Sequence, residues 1–512
     1  MDEYRLLWGD LHTHFEDPDH DHHYLDSGRE NIDFCAVLGY PFCSENRNGL
    51  VVESVGPRPE HPEYWRKLLE LVRVYHAPGR FLTLPGYEWH GDRARYGDHN
   101  VIYFESGGRL DAAWRLEDLY RNLAGGRALV IPHHTGYAPA YRGKDWSVHD
   151  DSLSPVMEIY SIHGSSEGCE TPFPMERNTN LGPRVSAGTF QAGLARGCRL
   201  GVIASNDGPG LPGRWGRGRA AAWVKEFSRE GLLEAFRARR TYAVTGDRIE
   251  LRFRVNGAEM GASVPGGAAV EAEAEVIGAA ALDRLELVQN GRVAATYNHS
   301  GRWETKAARE RRFKVALEVG WGPHAKYGFK LTEKFWRWQG SLAVAGGRLA
   351  GLENRFTLPG QRAVLAAPGR SHFELASRVK YDSSPTNIQQ GLVFEIEGGA
   401  GTGLDFDIEG LRFRAEIGEL LAGTRFVPLI RESEARIRKE FGLDGESIGN
   451  PDPYILNCRK IKLHRAVPES GYRVGRRFRN LRLDKGLNYF YLRASQLNGQ
   501  YAWSSPVWVT RA

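Results

Sequence analysis

Apolar, β-branched runs recur through the first 245 residues, at Ile32–Leu38, Phe81–Leu84, Ala128–Ile131, Val156–Ile162 and Leu200–Ala204. Between them, Glu63–Tyr75, Ala112–Leu123 and Arg229–Arg239 place apolar residues at helical spacing, and Pro78-Gly79 closes the first of these segments. Short buried strands alternating with amphipathic helices predict a parallel α/β layer or barrel. After Gly246 the period falls to two. LRFRVNG, LDRLELVQNGRVAATY, GGRLAGLENRFTL and LNYFYLRASQLNGQYAW alternate apolar with polar residues and are punctuated by Asn-Gly and Gly-Gly, which predicts antiparallel strands joined by hairpins. A helical segment, Glu432–Phe441, interrupts them. The pattern therefore predicts an α/β domain over residues 1–247 and a mainly β, sandwich-like domain over residues 248–512.

Composition adds little that is specific. A chain of 512 residues, 41% hydrophobic, can bury more than one core. Lys plus Arg number 68 against 63 for Asp plus Glu, and the resulting +5 is too thinly spread to imply a nucleic-acid partner. It is compatible with a basic pocket for a small anionic substrate. The five cysteines (Cys35, Cys43, Cys169, Cys198 and Cys458) make neither a disulfide framework nor a C-x-x-C metal knuckle, and are expected to be buried thiols. The opening MDEYRLLWGDLHTHF has no signal-peptide pattern, and no apolar run reaches bilayer-spanning length. The expectation is a cytoplasmic protein without a membrane partner, in which the sequon Asn298-His299-Ser300 carries no meaning.

The candidate chemistry lies at the ends of the predicted strands. GDLHTH ends the first one, and residues two apart on a strand face the same way, so His12 and His14 can reach one ion. The pair alone is a weak signal that surface histidines would also produce. The later strands strengthen it: Phe81–Leu84 runs into Glu88, Asp98-His99 precedes VIYF, Ala128–Ile131 delivers His133 and His134, Val156–Ile162 carries Glu158 and delivers His163, and Leu200–Ala204 delivers Asp207. In parallel barrels the catalytic groups gather where the carboxyl ends of the strands meet. Imidazole and carboxylate without thiolate suit Zn, Mn or Fe in an open catalytic site. A metal-bound water of lowered pKa would then serve as nucleophile.

The phrases GDLHTH, FLTLPGYEW, DHNVIYF, VIPHHT, EIYSIHGSSE, LGVIASND and YLRASQLNGQYAWSSPVWV resemble an uncharacterised branch of the PHP (polymerase and histidinol phosphatase) superfamily of metal-dependent hydrolases. The resemblance implies a distorted (β/α)7 PHP-type barrel, up to three metal ions and phosphoester hydrolysis. It also implies that His12, His14, His20, Glu88, His99, His133 and Asp207 are metal ligands. Two family histidines are absent: Asp33–Leu38 runs into Gly39-Tyr40-Pro41, and Asp207 is followed by Gly208-Pro209. The resemblance would then leave a dinuclear centre, with His12, His14, Glu88 and Asp207 on one ion and Glu88, His99 and His133 on the other. The third site is expected to be empty, unless His20, His22 or His23 in DPDHDHHYLD rebuild it.

His134, Glu158 and His163 are the expected catalytic groups, although His134 could instead cap a turn and Glu158 could instead orient a ligand histidine. Tyr40 would fill the vacated third-metal volume. Arg214 and Arg217, close after Asp207, are candidates for holding an anionic substrate, and a solvated glycine-rich loop would read the same way. The cluster Arg237–Arg240 reads as the polar end of a helix. The aromatics of KYGFKLTEKFWRWQG read as packing rather than as a carbohydrate platform. The leading expectation is a phosphoesterase using a metal-bound hydroxide. The alternatives are hydrolysis of a carboxylic ester, lactone or amide, and a non-catalytic binding protein on a decayed barrel.

Overall fold

Residues Leu7 to His14 are buried without interruption along strand β1 (Arg5–His14), so both of its faces are covered. The computed structural model describes residues 3–40, 45–47, 50–52, 61–89, 91–175, 182–303, 307, 309–323, 331–367, 369–379 and 389–511. The fold is mixed α/β and rich in strands. β1 runs parallel to β2 (Phe34–Gly39), which runs parallel to β3 (Leu82–Trp89). Next comes β4 (His99–Tyr103), antiparallel to both β3 and β5 (Ala128–Pro132). β6 (Val156–Ser161) and β7 (Gly201–Ala204) pair in parallel in a sheet of their own. On its other edge β1 is antiparallel to β8 (Arg219–Val224), and β8 to β9 (Thr241–Val244).

This arrangement sets the placement of the chemistry. β1, β2, β3 and β5 point the same way, so His14, Glu88 and the residues after Pro132 come to one edge. β4 runs against them, so its first residue rather than its last belongs to that edge: His99 sits opposite Trp89 on one side and Pro132 on the other. One core gathers Leu7, Leu11, Ala36, Leu84, Ile102, Ile131, Val156, Ile203 and Ala222 from these strands, with Leu232, Leu233 and Phe236 of helix α3 (Arg229–Arg237). A second core packs Trp65, Leu68 and Val72 of α1 (Pro62–Tyr75) and Leu119 of α2 (Leu116–Leu123) on Val37, Tyr87 and Val101. Each such side chain contributes about 1.5–3 kcal/mol. The strand ladder does not continue from β5 to β6, and β4 has no parallel partner, so the expected (β/α)7 barrel is not shown.

The expected boundary at residue 247 passes through a sheet. β9 pairs with Tyr501–Ser504, and Leu282–Gln289 pairs with Gly486–Gln496. The chain divides instead into unit 1 (Met1–Gly278, Leu282–Asn298, Val474–Ala512) and unit 2 (Ala279–Ala281, His299–Arg473). The period-two pattern marks strands but not their partners, so strands from both sides of the inserted unit were read as one β domain. Unit 2 holds a six-stranded and a five-stranded sheet, and rings from the two interleave at Phe373, Phe394 and Phe406. Trp338 is fully buried there and donates to Ser377 Oγ at 2.9 Å, as packing requires. Tyr327 and Phe329 lie outside the described residues. Among the described cysteines, Cys35, Cys198 and Cys458 are buried thiols as expected, but Cys169 is exposed; Cys43 is outside the described residues. No helix among the described residues is long and apolar enough to cross a membrane.

Candidate metal centre

His12 is the hub of the edge described above. It is fully buried, and its Nδ1–H donates to Glu158 Oε2 at 2.9 Å, which fixes the tautomer and turns Nε2 toward two carboxylates. Nε2 lies 3.7 Å from Glu88 Oε2 and 3.5 Å from Asp207 Oδ1. His14 reaches the same Glu88 oxygen from the next outward step of β1, Nε2 to Oε2 at 2.9 Å. The other Glu88 oxygen, Oε1, is 3.6 Å from His133 Nε2. Glu88 thus offers one oxygen to each of two histidine sets. The strand period of two brings His12 and His14 to one side, as the sequence predicts.

Three buried groups within this edge have ligand atoms within 4.8 Å of one another: His12, His14 and Glu88; His12, His133, Glu158 and Asp207; and Glu88, His133 and His134. A fourth joins His134, His163 and Asp207. His99 belongs to none of the four. Its Nδ1–H donates to Gly97 O at 3.2 Å, leaving Nε2 as the acceptor. His20 is displaced altogether: its side chain is 83% exposed and pairs with Asp17, so it does not join the cluster, and His22 and His23 are exposed at the start of a short helix. None of the three is in the His/Glu/Asp groups found among the described residues. The Tyr40 ring lies 5.1 Å from that of His14. Arg217 reaches Asn206 Oδ1 at 3.4 Å, and Arg214 is half-buried in the same loop.

Electrostatics favour ligation. Burial, reinforced by Lys144 for His99 and by neighbouring histidines for His133, keeps both imidazoles far below their usual pKa and therefore neutral with a lone pair available. For His12 burial acts the same way, but Asp207 and Glu158 outweigh it and hold the ring protonated when no other cation is present. Burial pushes Glu158 up to about 7. On Asp207 burial is overcome by His12, His163 and His133, which hold the carboxyl well below its usual range. In the absence of a cation, several ring nitrogens have no hydrogen-bond partner among the described residues: His12 Nε2, His99 Nε2, both nitrogens of His133, and His134 Nδ1. Each buried orphan costs about 1–3 kcal/mol. The carboxylates and imidazoles grouped within 4.8 Å of one another fit divalent cations, which would take up the ring lone pairs of His12, His133 and His134.

Several site residues were not singled out in the sequence. Asp10 is fully buried and accepts from the backbone N–H groups of His12 (2.9 Å), Asn206 (3.3 Å) and Gly213 (2.7 Å), tying β1 to the loop that carries Asp207. The alternation Asp10, His12, His14 was the available signal. Asp98 faces His134 Nε2 at 3.3 Å and is itself gripped by Arg93, whose Nε donates to Oδ1 at 2.7 Å. Tyr137 and His163 Nδ1 are 2.5 Å apart, and Ser161 donates to Asp207 Oδ2 at 3.0 Å. No local pattern marks the last two. Backbone strain gathers here as well: His134 and Asp207 are non-glycine residues with φ of +34° and +56°.

A family model described as "Protein of unknown function (DUF3604)" matches residues 214–270. An uncharacterized protein of Chlamydia pneumoniae is 27% identical over 319 residues, covering 57% of this chain and 48% of the relative. One from Chlamydia muridarum is 26% identical over 320 residues, covering 58% and 49%. The chain spans about half the length of the curated relatives it matches. Among solved structures, a two-domain protein from Bacteroides vulgatus, described as containing a predicted PHP-like metal-dependent phosphoesterase, is 16% identical, covers 58% of this chain and 86% of its own, and has a TM-score of 0.31.

Proposed function

We propose that unit 1 is a metal-dependent hydrolase acting on a small anionic substrate, with phosphate esters the favoured class. The observation that carries this reading is the Glu88 carboxylate, buried with one oxygen toward His12 and His14 and the other toward His133. A carboxylate so divided suits a bridging ligand between two divalent ions, with His12, His14 and Asp207 on one side and His133 and His99 on the other. Divalent ions, when bound there, supply Lewis acidity toward a substrate oxygen and toward water. Zn, Mn or Fe suits the donor set.

The chain's own residues do the positioning. Glu158 holds the His12 proton at Nδ1 and so aims Nε2, which is an orienting role rather than contact with substrate. Asp10 fixes the spacing between β1 and the Asp207 loop. Arg217, beside Asn206 on that loop, would bind an anionic group, with Arg214 of the same loop and Tyr40 beside His14 as further substrate contacts.

The test is metal content by elemental analysis of the purified full chain, followed by turnover of phosphate monoesters and diesters, lactones and amides by the metal-loaded protein. Near two or more ions per chain, with phosphate-ester turnover abolished by His12→Ala, is the expected result. Turnover of lactones or amides alone would move the reaction to acyl chemistry. No bound metal, or activity indifferent to His12→Ala, would leave a binding protein on the same fold.

A further inference from the structure

We infer that His134, His163 and Asp207 form an additional cation seat, on the side of the cluster away from His14 and Tyr40, occupied by a divalent metal ion. This rests on the metal-centre reading above and extends it to residues for which a general-acid or substrate role was expected.

Asp207 is the hinge of the inference. Its side chain is only 8% exposed, and its two oxygens address different neighbours: Oδ1 lies 3.5 Å from His12 Nε2, and Oδ2 lies 3.3 Å from His163 Nε2. This repeats the division seen at Glu88, where a carboxylate with one oxygen on each of two sets of imidazoles separates two ion positions. A separation of 3.3 Å between an imidazole nitrogen and a carboxylate oxygen also matches two ligands sharing one ion, since bonds of about 2.0–2.2 Å at a tetrahedral angle put their ends roughly 3.4 Å apart.

The two histidines are each prepared for ligation by a partner on the opposite ring nitrogen. His134 Nε2 faces Asp98 Oδ2 at 3.3 Å, and Asp98, fully enclosed, is held by Arg93. That leaves His134 Nδ1 buried and without a hydrogen-bond partner among the described residues. On His163, the tautomer in which Nδ1–H donates to the Tyr137 hydroxyl oxygen, 2.5 Å away, keeps the Nε2 lone pair toward Asp207. Carboxylate–histidine and hydroxyl–histidine pairs of this kind orient metal ligands and fix their tautomers. The two rings lie 4.7 Å apart, centroid to centroid, and the three ligand atoms fall within 4.8 Å of one another. Two of the three residues, His134 and Asp207, adopt the left-handed backbone that non-glycine residues avoid, so the fold accepts strain to hold them. A serine hydroxyl on Asp207 Oδ2, from Ser161, completes the surround.

The experiment is equilibrium dialysis of the full chain against Zn2+ and separately against Mn2+, with ions per chain counted by elemental analysis, for the wild type, His134→Gln, His163→Gln, Tyr137→Phe and His14→Gln. The expected result is that His134→Gln and His163→Gln each lose one ion per chain while their circular dichroism and melting temperature stay native. Tyr137→Phe, which removes no ligand, keeps the ion number at saturation but weakens the last-bound ion about 10- to 100-fold. An ion count unchanged in both histidine variants, with the His14→Gln count reduced, overturns the additional seat and leaves the proposed hydrolase standing. A wild type that binds no ion overturns both. Should either histidine variant fail to fold, the Tyr137→Phe affinity decides: an affinity equal to wild type for every ion refutes the seat.

Discussion

Lys144 shows how strongly a single buried charge can report on this fold. It is 1% exposed, donates to Val148 O at 2.7 Å, and burial pulls its ammonium down to about 7. In the unfolded chain the same group holds its proton to about 10.4. Between these values the unfolded state binds more protons than the folded one, so stability rises with pH from about 7 to about 10 and the full penalty applies below 7. The expected outcome for Lys144→Met is a flatter profile: subtracting its urea-unfolding free energy from the wild type's at each pH should leave a slope approaching about 1.4 kcal/mol per pH unit. A difference that does not vary with pH would refute the shift. The clustering of these histidines and carboxylates was legible because period two and the strand-end rule act locally. His12, His14, Glu88, His133 and Asp207 converge as expected, and Glu158 takes the orienting role that was one of its two readings. His20 was misplaced because a motif spacing says nothing about whether a loop folds inward; here its charged neighbours keep it in water. Tyr137 and Asp98 were not legible, since their role depends on histidines that only the fold brings near.

Among the elements, the strand Gly486–Gln496 does more than extend a sheet. Its Tyr491 donates to Glu167 Oε1 at 2.7 Å and its Arg493 pairs with the same carboxylate at 3.2 Å, while Trp503 of the next strand donates to Oε2 at 2.8 Å. Glu167 is fully buried, four residues beyond His163. This is how two distant phrases of the sequence, EIYSIHGSSE and YLRASQLNGQYAW, come to act together: the second fastens the loop that the first uses to present an imidazole. Replacing Glu167 by Ala leaves Arg493 with Glu286 alone and takes the acceptor from two buried donors, and should cost about 3 kcal/mol in guanidinium-chloride unfolding. A loss below 1 kcal/mol would show the strut to be dispensable. The strands were placed from sequence to within one or two residues at most ends, for example Phe34–Gly39 for Ile32–Leu38, because burial of both faces leaves continuous apolar runs. Their partners were not legible, and β4 in particular lies antiparallel where alternation with helices suggested parallel order.

For the molecule as a whole, the insertion of unit 2 between Asn298 and Val474 has an experimental counterpart. Within unit 1 the strand ending at Asn298 and the one resuming at Arg473 are near each other, since the Arg476 guanidinium lies 4.8 Å from the Tyr297 ring. Removing residues 299–473 and joining the ends through a short glycine linker should leave a chain that melts in one transition and binds the same number of metal ions as the full protein. Loss of metal binding in a folded excision product would show that unit 2 contributes to the centre. Closing unit 1 through strands this remote also has a kinetic side. The sheet that flanks the metal ligands is completed by Gly486–Gln496, Tyr501–Ser504 and Val507–Arg511, more than 200 residues after β9 in sequence. A nascent chain therefore carries every residue of the histidine–carboxylate cluster well before it carries the arginine that pairs with Glu167. On the ribosome the strands that complete unit 1 emerge only after the whole of the inserted unit has been synthesised.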